Sequence, residues 1–295
     1  MKRIFLFVAT NIAILAVISL IMRLFGFDGY MYQNGLNYKA LAVFSILWGS
    51  VGSFISLAIS KWMAKRSMGV QVIEQASNET EVWLLDTVKR QASQAGIGMP
   101  EVGIFNSASP NAFATGMSRN NALVAVSTGL LENMRRNEVE AVLAHEVSHV
   151  ANGDMITMAL MQGVLNAFVI FFSRIIGYAL SAAMRSDDDS GYGIGQFIGT
   201  MIAQIVLGFL AAMLINKFSR YREFHADDGG SRLAGNQNMI DALKALQRNS
   251  ANATELKGEF AAFGISGGKS TLSSLFATHP PLEDRIAALE KNQRF

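Results

Sequence analysis

Five consecutive residues, His145-Glu146-Val147-Ser148-His149, carry the side chains in this chain best suited to chemistry. Histidines four apart share one face of an α-helix, so two imidazoles can converge on one metal ion with a carboxylate beside them. The flanking residues predict such a helix, with Val139, Val142, Leu143, Val147 and Val150 apolar at helical spacing. Asn137 is the expected N-cap and Gly153 the expected stop. Polar groups inside an apolar helix need partners, and a metal would supply them. The expectation is one Zn2+ per chain on His145 and His149, with Glu146 taking a proton from water.

A catalytic zinc site takes three protein ligands and leaves one position open. The chain has no cysteine, so nitrogen and oxygen must supply all three. In the run Phe218–Gly230, Glu223 and Asp227 are four apart and share a helical face. Glu223 would bind the ion, and Asp227 would accept the N–H of a ligand histidine, fixing its tautomer. His225 is the rival ligand, offset from that face. Without the His-Glu pattern these residues would read as solvated charges beside a membrane. His279 could reach the site and stabilise the oxyanion of a tetrahedral intermediate, or simply pack at the start of a helix. Arg285 could hold a carboxylate nearby.

The elements that must position these groups lie in an apolar chain. Of 295 residues, 51% are hydrophobic and 16% charged, and the mean hydropathy is positive. This composition points to a membrane protein. Net charge is only +2 and no basic cluster alternates with aromatics, so nucleic-acid binding has no support. Ile4–Met22, behind Lys2 and Arg3, is long enough to span a bilayer and has no A-x-A cleavage site after it. Ala40–Ser60 is a second span, closed by Lys61, Lys65 and Arg66, with the loop Gly26–Tyr38 between them. The positive-inside rule then puts the N-terminus and the chain after Lys61 in the cytoplasm. Gly49, Gly52, Ser53 and Ser56 form a candidate packing face.

Met155–Met184 and Gly195–Ile215 are two further apolar stretches, joined by a connector holding Asp187, Asp188 and Asp189. They read as an out-and-back membrane hairpin, or as buried helices of the catalytic region. Arg174 would snorkel at the outer face or pair with a carboxylate. Between the second and third stretches the composition is that of a water-exposed domain. Glu79–Ala95 is a helix with Val82, Leu85, Val88, Ala92 and Ala95 on one side, stopped at Gly96. Glu101–Phe105 and Ala122–Ser127 read as strands, while Ser109–Gly116 carries Pro, Asn and Gly. A strand beside the metal could hold an extended peptide by backbone pairing, and either Asn111–Gly116 or Ala122–Val126 could supply it. Near the end, Met239–Arg248 is a short helix and 258–269 a glycine-bearing loop. Leu282, Ile286 and Leu289 face a core from a last helix behind two prolines.

These features together resemble the HtpX-type bacterial membrane zinc metalloproteases, relatives of the CAAX prenyl endopeptidases. The resemblance rests on Asn111-Ala-Phe-Ala-Thr-Gly116, Ala144-His-Glu-Val-Ser-His149, Arg222-Glu-Phe-His-Ala-Asp227, Thr278-His-Pro-Pro-Leu-Glu-Asp-Arg285 and the order of apolar stretches. It implies a gluzincin site with His145, His149 and Glu223 on zinc, Glu146 as general base and Asp227 behind a ligand. It also implies inner-membrane quality control, cutting misfolded or damaged membrane proteins from the cytoplasmic side.

The expected fold is a mainly α integral membrane protein of four hydrophobic helices with a small α+β zincin-type metalloprotease domain. Residues 1–64 would form a membrane hairpin, 65–154 and 217–295 the catalytic domain, and 155–216 an inserted hydrophobic hairpin. Expected partners are unfolded or membrane protein substrates and the lipid bilayer. A metal-containing chaperone or scaffold is the rival reading, against which the intact Glu146 argues.

Overall fold

The computed structural model describes residues 37–183, 192–253 and 278–291. The expected first span Ile4–Met22, residues 26–36 of the loop after it, the acidic connector 185–191 and the loop 258–269 lie outside the described residues. In chain order come α1 (Tyr38–Met68), β1 (Gln71–Val72), α2 (Glu79–Gln94), β2 (Glu101–Phe105), β3 (Ala112–Ser118) and β4 (Asn121–Ser127). Then follow α3 (Thr128–Asn133), α4 (Arg136–Asn152), α5 (Asp154–Ala183), α6 (Tyr192–Ala234), α7 (Asn236–Ala253) and α8 (Leu282–Glu290). The protein is mainly helical with one small sheet. Three helices among the described residues, α1, α5 and α6, are long and apolar enough to cross a membrane, where four were expected.

The chain divides into two compact units. One comprises the described residues up to Ser56 with Ala159–Ile215, and the other Leu57–Met158 with Asn216 onward. In the first, Gly49 lets α1 approach α5 closely. A Cβ there would lie 2.6 Å from the Ala167 nitrogen and 2.9 Å from the Gly163 carbonyl oxygen. Gly49 and Ser53 are buried, whereas Gly52 and Ser56 point outward, so half of the expected small-residue face packs. Phe171 is fully buried against partners that include Leu41 and Phe168. Arg174 lays its guanidinium over the Phe44 ring, 5.1 Å from the centroid. Leu47, Trp48, Ile55, Phe197, Ile202 and Phe209 stay exposed, an apolar surface suited to lipid.

The second unit holds a sheet of order β1-β2-β4-β3, with β2 and β4 parallel and the other pairs antiparallel. β4 is buried on both faces, which explains its unbroken apolar run Ala122–Val126. Val124 and Val126 face a core shared with Leu84 and Val88 of α2, Val139, Leu143 and Val147 of α4, Leu243 of α7 and Ile286 and Leu289 of α8. Leu123 and Ala125 face a smaller cluster with Phe105 and Phe113. Among the described residues β3 is an edge strand beside α4, falling on the stretch Asn111–Gly116 that the sequence offered as one of two candidate pairing strands despite its turn-forming residues. Its pairing with β4 outweighs the local Pro and Gly signals. Because β4 is paired on both sides, only β3 of the two offers an edge.

Two local expectations shift. Val82 is exposed, and α2 buries Leu84, Thr87, Val88, Gln91 and Ala92 instead. Of the polar pair, Gln91 donates from Nε2 to the Glu140 carbonyl at 2.9 Å. The N-cap of α4 is Arg135, not Asn137, and Glu138 Oε2 accepts the Arg135 N–H at 2.8 Å.

Candidate metal centre

Helix α4 presents His145 and His149 one turn apart, and α6 packs against it to bring up Glu223. That approach depends on glycine. A Cβ on Gly230 would meet the His145 backbone nitrogen at 3.1 Å, and one on Gly229 would meet Ser148 Oγ at 2.7 Å. The ring nitrogens His145 Nε2 and His149 Nε2 are 3.1 Å apart. Glu223 places Oε1 3.3 Å from His149 Nε2 and Oε2 3.5 Å from His145 Nε2. Among the described residues these three form the one group able to hold a metal ion, with ligand atoms within 4.8 Å of one another.

The outer nitrogens explain why the inner ones converge. His145 Nδ1 lies 2.9 Å from Asp227 Oδ1, and His149 Nδ1 lies 2.6 Å from Asp154 Oδ2. Both carboxylates require an N–H from their imidazole, which leaves the two Nε2 lone pairs pointing at each other. Arg285 also approaches His145 Nδ1, at 3.4 Å, but the closer Asp227 determines the tautomer. Two facing lone pairs and an acidic oxygen in a buried pocket need a cation between them. Glu223 Oε2 in particular is buried without an aligned hydrogen-bond partner. The donor set of two imidazoles and one carboxylate fits zinc.

Protons feel the same field. Burial disfavours charge on His145, yet the hydrogen bonds and charges of Asp227 and Glu223 outweigh it and push the imidazole up to about 10. His149 is likewise raised despite burial, through Asp154 and Glu223. In the metal-free pocket a proton therefore stands in for the ion, and a metal must displace it.

The surrounding residues come from several elements. Glu146 is half-buried on α4, and its charge reaches Arg285. Arg285 of α8 grips Asp227 in a bidentate pair at 2.7 and 2.6 Å and reaches Glu223 Oε2 at 3.3 Å. His279 has a half-exposed side chain, with Nδ1 2.9 Å from Glu223 Oε2 but not in hydrogen-bond alignment. His225 stays out of the ligand group; its ring packs on Tyr221 with centroids 4.5 Å apart. Asn111 directly precedes β3; its carbonyl accepts the Ser127 N–H and its own N–H donates to Ser127 Oγ, each at 2.9 Å. Backbone groups alternate along a strand, so those facing the open edge belong to Ala112 and Ala114. The sequence reading missed Asp154 and Arg222, whose Nε lies 3.3 Å from Asp154 Oδ2. The available signal was an acid placed directly after the glycine that stops the histidine helix.

Residues 78–293 match peptidase family M48. The chain is 57% identical to Protease HtpX of Thioalkalivibrio sulfidiphilus, with 100% of both chains covered. It is 59% identical to Protease HtpX of Pseudoalteromonas atlantica, covering 99% of this chain and 100% of that one. Among solved structures, S. mikatae Ste24p shares the fold with a TM-score of 0.64 at 17% identity, covering 94% of this chain and 67% of that one. With its apolar helices and its His-Glu pocket, the chain belongs to peptidase family M48, as a membrane metalloprotease.

Proposed function

We propose that the protein is a zinc-dependent endopeptidase of the bacterial inner membrane that cuts misfolded or damaged membrane proteins from the cytoplasmic side. The observation that carries this is the convergence of His145 Nε2, His149 Nε2 and Glu223 with Glu146 on the adjoining helix face. Zinc held by the three residues would lower the pKa of water and polarise the scissile carbonyl. Glu146 accepts the proton of the attacking water and passes it to the leaving amine. His279, close to the ligand carboxylate yet half-exposed, can donate to the developing oxyanion. The open edge at Ala112 and Ala114 pairs with an extended substrate backbone, which favours unfolded chains over folded ones. The cytoplasmic placement rests on Lys61, Lys65 and Arg66 at the end of α1.

The test is zinc content and casein cleavage for wild type and Glu146→Gln, purified in detergent without chelator. About one zinc per chain in both, with cleavage in wild type only, is expected. Zinc in both with cleavage in neither points to a scaffold, and no zinc in either removes the proposal.

A further inference from the structure

The carboxylate at the start of α5 plays no part in the chemistry just described, yet it makes the shortest contact to either imidazole. We infer that Asp154, held by Arg222, is the positioning residue of His149, fixing its Nδ1–H tautomer and aiming Nε2 at the ion. This rests on the metal reading above and extends it to a second ligand.

The local chain explains the placement. Gly153 ends α4 in the left-handed conformation, φ 67°, with its N–H turned back on the last turn at the Val150 carbonyl, 3.0 Å away. That reversal brings the next residue back over the final turn, where Asp154 Oδ2 meets His149 Nδ1 at 2.6 Å. Asp154 is buried, so its charge depends on protein partners rather than water. Three surround it: the imidazole N–H, the Arg222 guanidinium and the N-terminus of the 30-residue helix α5, whose dipole favours a negative group.

The same plan occurs at the other ligand. His145 is backed by Asp227, and Asp227 by Arg285. His149 is backed by Asp154, and Asp154 by a looser ion pair with Arg222, whose Nε lies 3.3 Å away and out of hydrogen-bond alignment. Two imidazole–carboxylate–guanidinium relays, drawn from different elements, therefore converge on one point. Arg222 immediately precedes Glu223 on α6, so one stretch of helix supplies both the third ligand and the clamp on the second. Carboxylates in this position make an imidazole a better ligand and keep it from rotating.

The experiment compares full-length wild type, Asp154→Asn and Arg222→Gln in detergent, stripped of metal and titrated with Zn2+ against a competing chelator. Absorption spectra of the Co2+-loaded forms and melting of the metal-free forms are recorded in parallel. Asp154→Asn is expected to weaken zinc binding by about 10- to 100-fold and to shift the Co2+ bands, with metal-free melting within a few degrees of wild type. Arg222→Gln should weaken binding less, in the same direction. A metal-free protein destabilised by Asp154→Asn but binding zinc within twofold of wild type, with an unaltered Co2+ spectrum, would overturn the inference. Should that variant not fold, Asp154→Glu decides: retained zinc supports the inference, and loss equal to that of His149→Ala overturns it. Wild type that binds no zinc removes the metal reading itself instead.

Discussion

Gly229→Ala tests the close approach of α6 to α4. The added methyl would sit 2.7 Å from Ser148 Oγ and 2.9 Å from Ser148 Cβ, and relief to ordinary contact needs a shift of about 0.7 Å. Glu223 rides on the same helix, and its oxygens lie 3.3 and 3.5 Å from the two imidazoles. Productive sites tolerate about 0.5 Å, and a displacement near 1 Å costs about 100-fold in rate. Casein cleavage should therefore fall about 10- to 100-fold. Stability moves less. Overpacking costs about 1–3 kcal/mol, while alanine gains about 1 kcal/mol over glycine in a helix, leaving roughly 0–2 kcal/mol. Ser148→Gly removes both obstructing atoms and leaves Ser148 Cα at 4.0 Å. The hydroxyl it deletes donates to the Ala144 carbonyl one turn back, at 2.7 Å. Combining the two changes should return cleavage and zinc retention to within about threefold of wild type, as coupled neighbours do. The measurements are casein cleavage, bound zinc and chemical unfolding of all four forms. Gly229→Ala at wild-type activity, or a double variant no better than Gly229→Ala alone, would refute the reasoning.

Glu223→Gln should abolish zinc retention after dialysis while leaving the membrane helices assembled; retention at one ion per chain would exclude Glu223 as a ligand. With His145 raised to about 10 in the metal-free pocket, its contribution to metal-free stability is fully present below pH 6.5 and lost as pH rises through about 10. Zinc binding at pH 8 should therefore release a proton and tighten as pH rises, which calorimetry in buffers of different ionisation enthalpy would detect; a proton count of zero would contradict the assignment. Gly49→Val should separate α1 from α5 by forcing a side chain onto the Ala167 and Gly163 backbone, costing about 1–3 kcal/mol in a detergent unfolding assay. An unchanged unfolding midpoint would show that this contact carries no stability.

How much was legible beforehand follows from the range of each interaction. His145, Glu146 and His149, and likewise Glu223 and Asp227, were readable because four-residue spacing on a helix is a local property. Pairing the two sets was a chemical inference from ligand number, and the packing of Gly229 and Gly230 against Ser148 and His145 realises that pairing. Asp154 escaped notice because its contact depends on the left-handed turn at Gly153, which sends the chain back instead of onward. Strand β3 was legible only as one of two candidate pairing strands, because turn-forming Pro110 and Asn111 precede it, Gly116 lies within it and its extension comes from β4 across the sheet. On α2, burial of Thr87 and Gln91 rotated the inward face away from Val82, with a carbonyl on α4 accepting from the Gln91 amide nitrogen. Arg285 was left open because nothing local ties it to Asp227, from which 58 residues separate it.

Helix α6 runs unbroken for 43 residues, about 65 Å at 1.5 Å per residue, and carries both an apolar stretch and Glu223. The histidines precede α5 and α6 in the chain, whereas the carboxylate lies past the apolar stretch of α6. A ribosome therefore delivers the two histidines early and the carboxylate only after both apolar stretches have been made. On the reading above, a nascent or truncated chain ending before α6 is harmless, because its hydrolytic pocket lacks a wall. Synthesis order itself would then act as a safety catch, keeping the hydrolytic site silent until the apolar helices have been made.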